Sequence, residues 1–222
     1  MGPDPHPMWV FGQAGRVSLT LLGWRREVAR LYAEVRAATD PATGWESWRA
    51  GRDRLFAEHP DSPLDRVARA NFRGLPFPQY DPALRVLAEV KAAERSRIQV
   101  ATAGDGVVPF VRIGRLALGD LGDLDVWWLD SYGGGIFLPL RDGSAGATEG
   151  SAQSYGGGRY LLDTVKGADL GATDGRLVVD LNFAYHPSCA YNPEWSCPLA
   201  PEGNRLAATI TAGEQLPPGG WY

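Results

Sequence analysis

The sequence predicts an α+β fold in which an N-terminal helical hairpin packs on an antiparallel, barrel-like or sandwich-like β-sheet. Apolar residues recur at helical spacing up to about residue 73 and at strand spacing from about residue 83. Strand candidates then follow one another at short intervals without helices between them, which favours antiparallel pairing. We therefore expect a single domain over residues 1–222, helical over about 24–73 and β-rich over about 83–212.

Two amphipathic helices are predicted in the N-terminal third of the chain. The first begins at Trp24, carries charged residues between its apolar ones, and should end near Asp40. For the second helix, Thr43 is the expected N-cap because Glu46 follows three residues later. A short third helix is expected over about residues 62–71. Two helices alone cannot bury so many aromatic side chains, so the hairpin should cover part of the sheet.

Strand candidates continue from there to near the C terminus. They are residues 84–90, 98–100, 107–118, 125–130, 135–140, 160–163, 176–181 and 206–211. Residues 103–106 are expected to form a turn between two of these strands. Residues 143–150 are almost all Gly, Ser, Ala and Thr, which predicts a flexible insertion in a hairpin.

Composition and charge are those of an ordinary globular protein. The chain has 222 residues, a net charge of −4 and no stripe of basic residues, so no nucleic-acid partner is expected. The apolar stretch at residues 8–22 is interrupted by Arg16 and has neither a basic region before it nor a cleavage site after it. No apolar run is long enough to cross a bilayer. These features predict a cytoplasmic protein without a membrane partner, and they leave its cofactor and oligomeric state open.

The segment at residues 182–198 is the strongest candidate for a functional site. It holds both cysteines, one of the three histidines, and prolines at 187, 193 and 198. Because prolines at this density exclude a regular helix or central strand, the segment should be a stiff loop that leaves the end of a strand. Loops in such positions commonly carry function.

Three interpretations of this loop remain open. His186, Cys189 and Cys197 offer one imidazole and two thiolates, a ligand set that zinc or iron accepts, although a fourth ligand would have to come from elsewhere. A simpler interpretation is two buried, reduced thiols beside a hydrogen-bonded histidine, and it is the preferred one, so no metal is expected. The third makes Cys189 a nucleophile and His186 its base, which are the predicted catalytic residues.

A glycine-rich segment at residues 155–160 is the second candidate. Its three glycines would let the backbone approach a ligand closely, and an arginine beside them could bind a carboxylate or phosphate. The alternative is a glycine-rich corner of a hairpin with no functional role. The predicted substrate-binding residues are Arg141, Tyr155, Arg159, Asn182, Tyr185 and Tyr191.

Four segments of the chain resemble the bacterial and archaeal family called domain of unknown function 1684. They are residues 52–64, 137–142, 155–161 and 187–206, and the resemblance extends over roughly residues 24–214. The family has no assigned activity, so the resemblance implies a shared fold and site without naming a reaction. Residues 143–154 are longer here than the resemblance implies, which affects how the loop near Arg141 lies over the site.

These observations lead to two functional hypotheses. The first is a small-molecule enzyme whose pocket lies between residues 156–158 and the loop at 182–197, and which binds an anionic substrate through Arg141 or Arg159. The second is a non-catalytic small-molecule-binding or structural module, in which the same loops only lock the fold.

Overall fold

The structure, a computed structural model, describes residues 19–102, 106–150 and 152–221. Its helices are α1 (Leu19–Ala37), α2 (Pro41–Glu58) and α3 (Arg66–Ala70). Its strands are β1 (Arg85–Ala88), β2 (Arg97–Thr102), β3 (Gly106–Ala117), β4 (Asp123–Leu129), β5 (Ile136–Leu140), β6 (Arg159–Asp163), β7 (Ala172–Thr173) and β8 (Arg176–Asp180). The α+β prediction is confirmed. Most of the apolar stretch at 8–22, and residues 103–105 of the expected turn, lie outside the described residues.

The starts of α2 and α3 are set by aspartate side chains. Asp40 caps α2, because its carboxylate accepts the backbone N–H of Thr43 at 2.9 Å. Pro41 occupies the first turn, where a missing N–H costs nothing. The prediction that Thr43 is the cap was therefore wrong. Helix α3 is capped by Asp65 and begins later than expected, because the hydroxyl of Ser62 donates to a backbone carbonyl of α2 instead.

The helical hairpin forms by close contact of α1 and α2. At Gly51 a Cβ atom would lie 2.2 Å from the side chain of Leu31, so only glycine allows the helices to approach this closely. The hairpin is attached to the sheet region through Trp45, whose indole Nε1 donates to the backbone carbonyl of Asn182 at 3.0 Å. The sequence predicts that the hairpin covers part of the sheet, and in the structure it contacts the chain at the end of β8.

The strands form two antiparallel sheets. One has three strands in the order β1-β8-β7, and the other has five in the order β2-β3-β4-β5-β6. The sheets are not closed into a barrel, which agrees with the sandwich-like alternative and not with the barrel-like one. Single bridges between Lys91 and Arg115, and between Tyr160 and Tyr185, connect residues of the two sheet regions. The second of these bridges places the loop after β8 beside β6.

The main apolar core lies between the hairpin and the sheets. Its fully buried members include Leu116, Leu124, Leu138, Leu140, Leu161 and Val179. Each such leucine or valine stabilises the fold by about 1.5–3 kcal/mol relative to an exposed position. Within the described residues, no helix is both long and apolar enough to span a bilayer.

The segment at 206–211 is not a strand. Its first N–H, that of Leu206, donates to the carbonyl of Arg141, and the N–H of Ile210 donates to the carboxylate of Asp142 at 2.7 Å. Since these backbone groups are satisfied by the chain that follows β5, the segment does not need a strand ladder. The strand prediction for 206–211 was therefore wrong.

The segment at 143–154 lies between β5 and β6, where the sequence placed an insertion. Its two ends are held together, because Ser144 and Ser154 are fully buried and their hydroxyl oxygens lie 2.7 Å apart. The N–H of Ser154 also donates to the carbonyl of Ser144. Both ends of the insertion are therefore part of the packed interior.

Candidate functional site

A cavity of about 90 Å³ lies between the helical hairpin and the loop that follows β8. Polar side chains in its walls include Arg25 and Tyr32 from α1, Arg52 from α2, Asp163 and Lys166 at and after the end of β6, and Tyr185, His186, Tyr191 and Cys197 from the loop. The predicted loop at 182–197 thus forms one wall. Residues 156–158, which were expected to face it, do not line the cavity, and the opposite walls come from the helices and Lys166.

A buried ion-pair network lies behind this cavity. Glu214 is fully buried, and its Oε2 accepts from Arg52 Nη2 at 3.1 Å and from the backbone N–H of His186 at 3.1 Å. Its other oxygen accepts the hydroxyl of Tyr191, which also lies 3.1 Å from Arg52 Nη2. The guanidinium of Arg52 stacks on the ring of Tyr185, 4.8 Å from the centroid. Two predicted substrate-binding residues, Tyr185 and Tyr191, are thus brought together with His186.

The network fixes the charges of its members. Burial alone would raise the pKa of Glu214, but Arg52 and His186 lower it to about 2, so this carboxylate is ionised. Burial would lower the pKa of Arg52, but Tyr191 and Glu214 hold it above its ordinary value. Burial lowers the pKa of His186 despite the neighbouring Glu214, so the imidazole is neutral near pH 7.

The tautomer of His186 follows from its contacts. Its Nε2 accepts the backbone N–H of Tyr155 at 3.1 Å, and an atom that accepts from an amide carries no proton. The proton of the neutral ring is therefore on Nδ1, which lies 3.5 Å from Glu214 Oε1, at the limit of hydrogen-bonding distance. The glycine-rich segment thus contributes to the site through the Tyr155 amide.

Several polar atoms around the cavity lack a hydrogen-bond partner among the described residues. They are the hydroxyl of Tyr32, Nε of Arg52 and Nδ1 of His186, each on a buried side chain. Buried polar atoms are almost always hydrogen-bonded, and each one left without a partner costs about 1–3 kcal/mol. Three such atoms on residues that line one cavity mark it as a place where a ligand can supply the missing acceptors.

The two cysteines are neighbours in this region. Cys189 is buried, Cys197 is half-buried and lines the cavity, and both are free thiols. The Cys189 thiol donates to Cys197, and this contact is the largest influence that lowers the pKa of Cys197 to about 7. The same contact raises the pKa of Cys189. Cys197 therefore loses its proton first.

No metal-binding group is found in the part of the chain that the structure describes. There, no set of three or more His, Cys, Asp or Glu side chains is arranged to hold an ion. The thiols of Cys189 and Cys197 face each other, and both nitrogens of His186 face Glu214 and Tyr155. The two thiols thus contact each other, and Nε2 of His186 is occupied by the Tyr155 amide.

Arg159 is fully buried away from the cavity lining and paired with Asp142. Its Nη2 lies 2.9 Å from the Asp142 carboxylate and also donates to the carbonyl of Ile210, while Nη1 donates to the carbonyl of Ala212 at 2.6 Å. Burial lowers the pKa of Arg159, although Asp142 acts in the opposite direction. This arrangement holds the C-terminal segment against the end of β5.

Four other predicted residues also lie outside the cavity lining: Arg141, Tyr155, Asn182 and Cys189. Arg141 exchanges backbone hydrogen bonds with Asn204 and Leu206. Asn182 is buried in a separate polar cluster, where its amide donates to Asp180 at 2.7 Å and to the carbonyl of Asp81. Their proposed contact with a substrate stays a prediction.

Sequence reasoning missed four residues of the site: Tyr32, Arg52, Lys166 and Glu214. One signal was present for Arg52, because it lies four residues from Trp48 and from Phe56 and so places a charge within an apolar helix face. Glu214 gives no such signal, since it follows Thr, Ala and Gly near the end of the chain.

The fold and the site define an α+β protein with a small cavity beside a buried ion-pair network. The chain matches the family described as protein of unknown function (DUF1684) over residues 70–215, more than half of its length, and it belongs to that family. It is also similar to an uncharacterized protein of Haloarcula marismortui, solved by NMR, with 34% identity over 78% of this chain and 92% of that chain and a TM-score of 0.54. No curated protein matches this chain.

Proposed function

We propose that this protein is a small-molecule enzyme that binds an anionic substrate in the cavity between the helical hairpin and the loop at 182–197. The observation that supports the proposal is that three residues lining this cavity each carry a buried polar atom without a hydrogen-bond partner among the described residues. Arg52 and Lys166, which line it, take the anion-binding role in place of Arg141 and Arg159.

An anion is favoured because all three atoms are donors. Nε of Arg52 can only donate, Nδ1 of His186 carries the ring proton, and the hydroxyl of Tyr32 can donate when offered an acceptor. A carboxylate or phosphate offers several acceptor oxygens in a small volume and bonds strongly to a guanidinium. A cavity of about 90 Å³ suits such a group.

The rival hypothesis is a non-catalytic small-molecule-binding module. It is favoured by His186, because Nε2 already accepts the Tyr155 amide and Nδ1 already carries the ring proton, so neither nitrogen can take a proton from a substrate. Under that hypothesis a ligand binds and is released unchanged. Following each stabilising ligand by NMR during incubation with the protein separates the two hypotheses.

The binding proposal is tested with Tyr32→Phe. Wild-type protein should be thermally stabilised by at least one member of a panel of acetate, succinate, pyruvate and inorganic phosphate, at constant ionic strength set with sodium chloride. Because the variant lacks one hydrogen bond to the ligand, its affinity for that ligand should be about three- to tenfold lower, while the fold is unaffected.

Tyr80→Phe is the matched control. The Tyr80 hydroxyl donates to Asp180 at 2.9 Å, in the polar cluster away from the cavity. The Tyr80→Phe substitution should therefore leave ligand affinity unchanged. Equal weakening in both variants, or no stabilisation by any member of the panel, would contradict the proposal.

A further inference from the structure

The two cysteines of the loop at 182–197 are brought together by a turn between them. Cys189 lies in a short 3-10 turn, Ser188–Ala190, that follows Pro187. The N–H of Trp195 then donates to the carbonyl of Asn192, so the chain reverses and returns to Cys189. After Cys197, the carbonyl of Pro198 accepts the hydroxyl of Tyr160, which anchors this end of the loop to β6. The loop therefore holds both thiols at a fixed place.

The two thiols differ in a way that suits them to different tasks. Cys197 is half-buried and lines the cavity, whereas Cys189 is only 8% exposed and lies behind it. The hydroxyl of Tyr155 contacts the Cys189 sulfur, which stabilises negative charge there. An accessible thiol with a second thiol behind it is the arrangement of an attacking and a resolving cysteine.

Charged and titratable groups surround Cys197, and two of them, Cys189 and Lys166, favour its thiolate. Those that face it are Cys189, Tyr160, Asp163, Lys166 and Tyr185. The donation from Cys189 is the largest influence, and the ammonium of Lys166 adds to it, although Lys166 is also paired with Asp163 at 3.4 Å. Burial raises the pKa of both tyrosines well above their ordinary value, so they stay neutral.

We propose that Cys197 and Cys189 form a dithiol site that exchanges with small anionic disulfides, in which Cys197 attacks and Cys189 resolves. This deepens the proposed function, on which it rests, because it assigns the reacting group of the same cavity and the class of its substrate. Tyr32 and Arg52 hold the anionic part of the disulfide while its sulfur lies against Cys197.

The exchange takes place in two displacements. The Cys197 thiolate attacks one sulfur of the substrate, a mixed disulfide forms, and the bond between the substrate sulfurs breaks with its electron pair on the leaving sulfur, which takes a proton from solvent. Cys189 then loses its proton, attacks the Cys197 sulfur, and displaces the second substrate thiolate, which is protonated in turn. The two protein thiols are oxidised to one disulfide, and the substrate disulfide is reduced to two thiols.

The test uses the native protein with an anionic probe, oxidised glutathione, and a neutral one, bis(2-hydroxyethyl) disulfide. Wild-type protein should lose both free thiols and gain an internal disulfide, detected by intact mass and by counting of thiols. Cys189→Ser should stop at a mixed disulfide on Cys197. Cys197→Ser should release no thiol while folded. Tyr80→Phe, which lies away from the cavity, should behave as wild type.

The rate of reaction with iodoacetamide provides a second measurement. Because the thiolate forms as pH rises through the pKa, alkylation of Cys197 should be half-maximal near pH 7 and level off above it. Cys189→Ala removes the donor, so its profile should move to higher pH. Thiols that react only after unfolding, or a Cys197→Ser variant that exchanges as fast as wild type, would overturn the proposal.

The two probes distinguish failure of this inference from failure of anion binding. Oxidised glutathione should react about three- to tenfold faster than the neutral probe if the cavity holds its carboxylates. If both probes exchange at equal rates, the proposal of a dithiol site stands and its specificity for anionic disulfides is overturned. If anions stabilise the protein but its thiols do not react with either probe, the proposal of an anion-binding cavity stands and the proposal of a dithiol site is overturned.

Discussion

Two buried arginine–carboxylate pairs, Arg52–Glu214 and Arg159–Asp142, serve different purposes in this molecule. The terminal nitrogens of Arg159 are used by Asp142 and by backbone carbonyls of the C-terminal segment. Arg52 bonds through one terminal nitrogen and borders a cavity. The Nε atom of each arginine lacks a partner among the described residues, but only that of Arg52 belongs to a cavity-lining residue. Both arginines are therefore buried and ion-paired. Arg52 differs from Arg159 because its unused donor belongs to a residue that lines a cavity.

The largest effect is expected from Arg159→Met. The change leaves the Asp142 carboxylate buried without its counter-ion and removes the donors of the Ile210 and Ala212 carbonyls. We expect the free energy of unfolding to fall by about 3–5 kcal/mol. Denaturant titration measures it.

A surface pair provides the control for that change. Arg205 pairs with Glu202 at 2.7 Å, but both side chains are exposed, so Arg205→Met should cost less than about 1 kcal/mol. If Arg159→Met and Arg205→Met lose equal stability, Arg159 does not hold the C-terminal segment in place.

The next effect concerns pH and Glu214. Its pKa in the folded protein is about 2, below its ordinary value of 4.5, so its contribution to stability is present above about pH 4.5 and is lost as pH falls toward 2. A difference of this size corresponds to about 3 kcal/mol. Urea titrations at several acidic pH values should show this loss in wild type and a smaller slope in Glu214→Gln. An unchanged slope in the variant would assign the acid sensitivity to other carboxylates.

The smallest effect compares two tyrosine hydroxyls. Tyr80→Phe removes a hydrogen bond to Asp180, whose pKa burial already raises, and should cost about 1 kcal/mol of stability. Tyr32→Phe removes a buried hydroxyl that has no hydrogen-bond partner among the described residues, so stability should rise by about 1 kcal/mol, the lower end of the cost of such an atom. Calorimetry of both variants without ligand measures this. A large loss in Tyr32→Phe alone would mean that the hydroxyl stabilises the fold.

Periodicity predicted most of the fold because it reports local burial. The hairpin and most of the strands lie where the apolar spacing placed them. Errors arose where an aspartate carboxylate accepts a backbone N–H that the sequence assigned to another partner. Asp40 took the cap assigned to Thr43, and Asp142 accepts an N–H from the segment that was expected to be a strand at 206–211.

The site was predicted only in part for a related reason. The loop at 182–197 is rich in proline and holds both cysteines and one histidine, and this composition made it the candidate site; in the structure it forms one wall of the cavity. Arg52 and Glu214 are far apart in the sequence and meet only when the hairpin packs on the sheet region. No local sequence pattern predicts a contact between such distant residues. The cavity wall that the helices form could therefore not be predicted from the sequence.

The close crossing of α1 and α2 at Gly51 has a consequence for how this family could diversify. Gly51 does not line the cavity, yet Leu31 and Tyr32 beside the crossing do, together with Arg52 and Leu55 of the facing helix. A relative with a larger residue at this position must move the Leu31 side chain or hold its two helices further apart. If the helices move apart, the cavity accepts a larger ligand although the residues that contact the ligand are unchanged. Selectivity for ligand size can therefore evolve separately from selectivity for ligand charge.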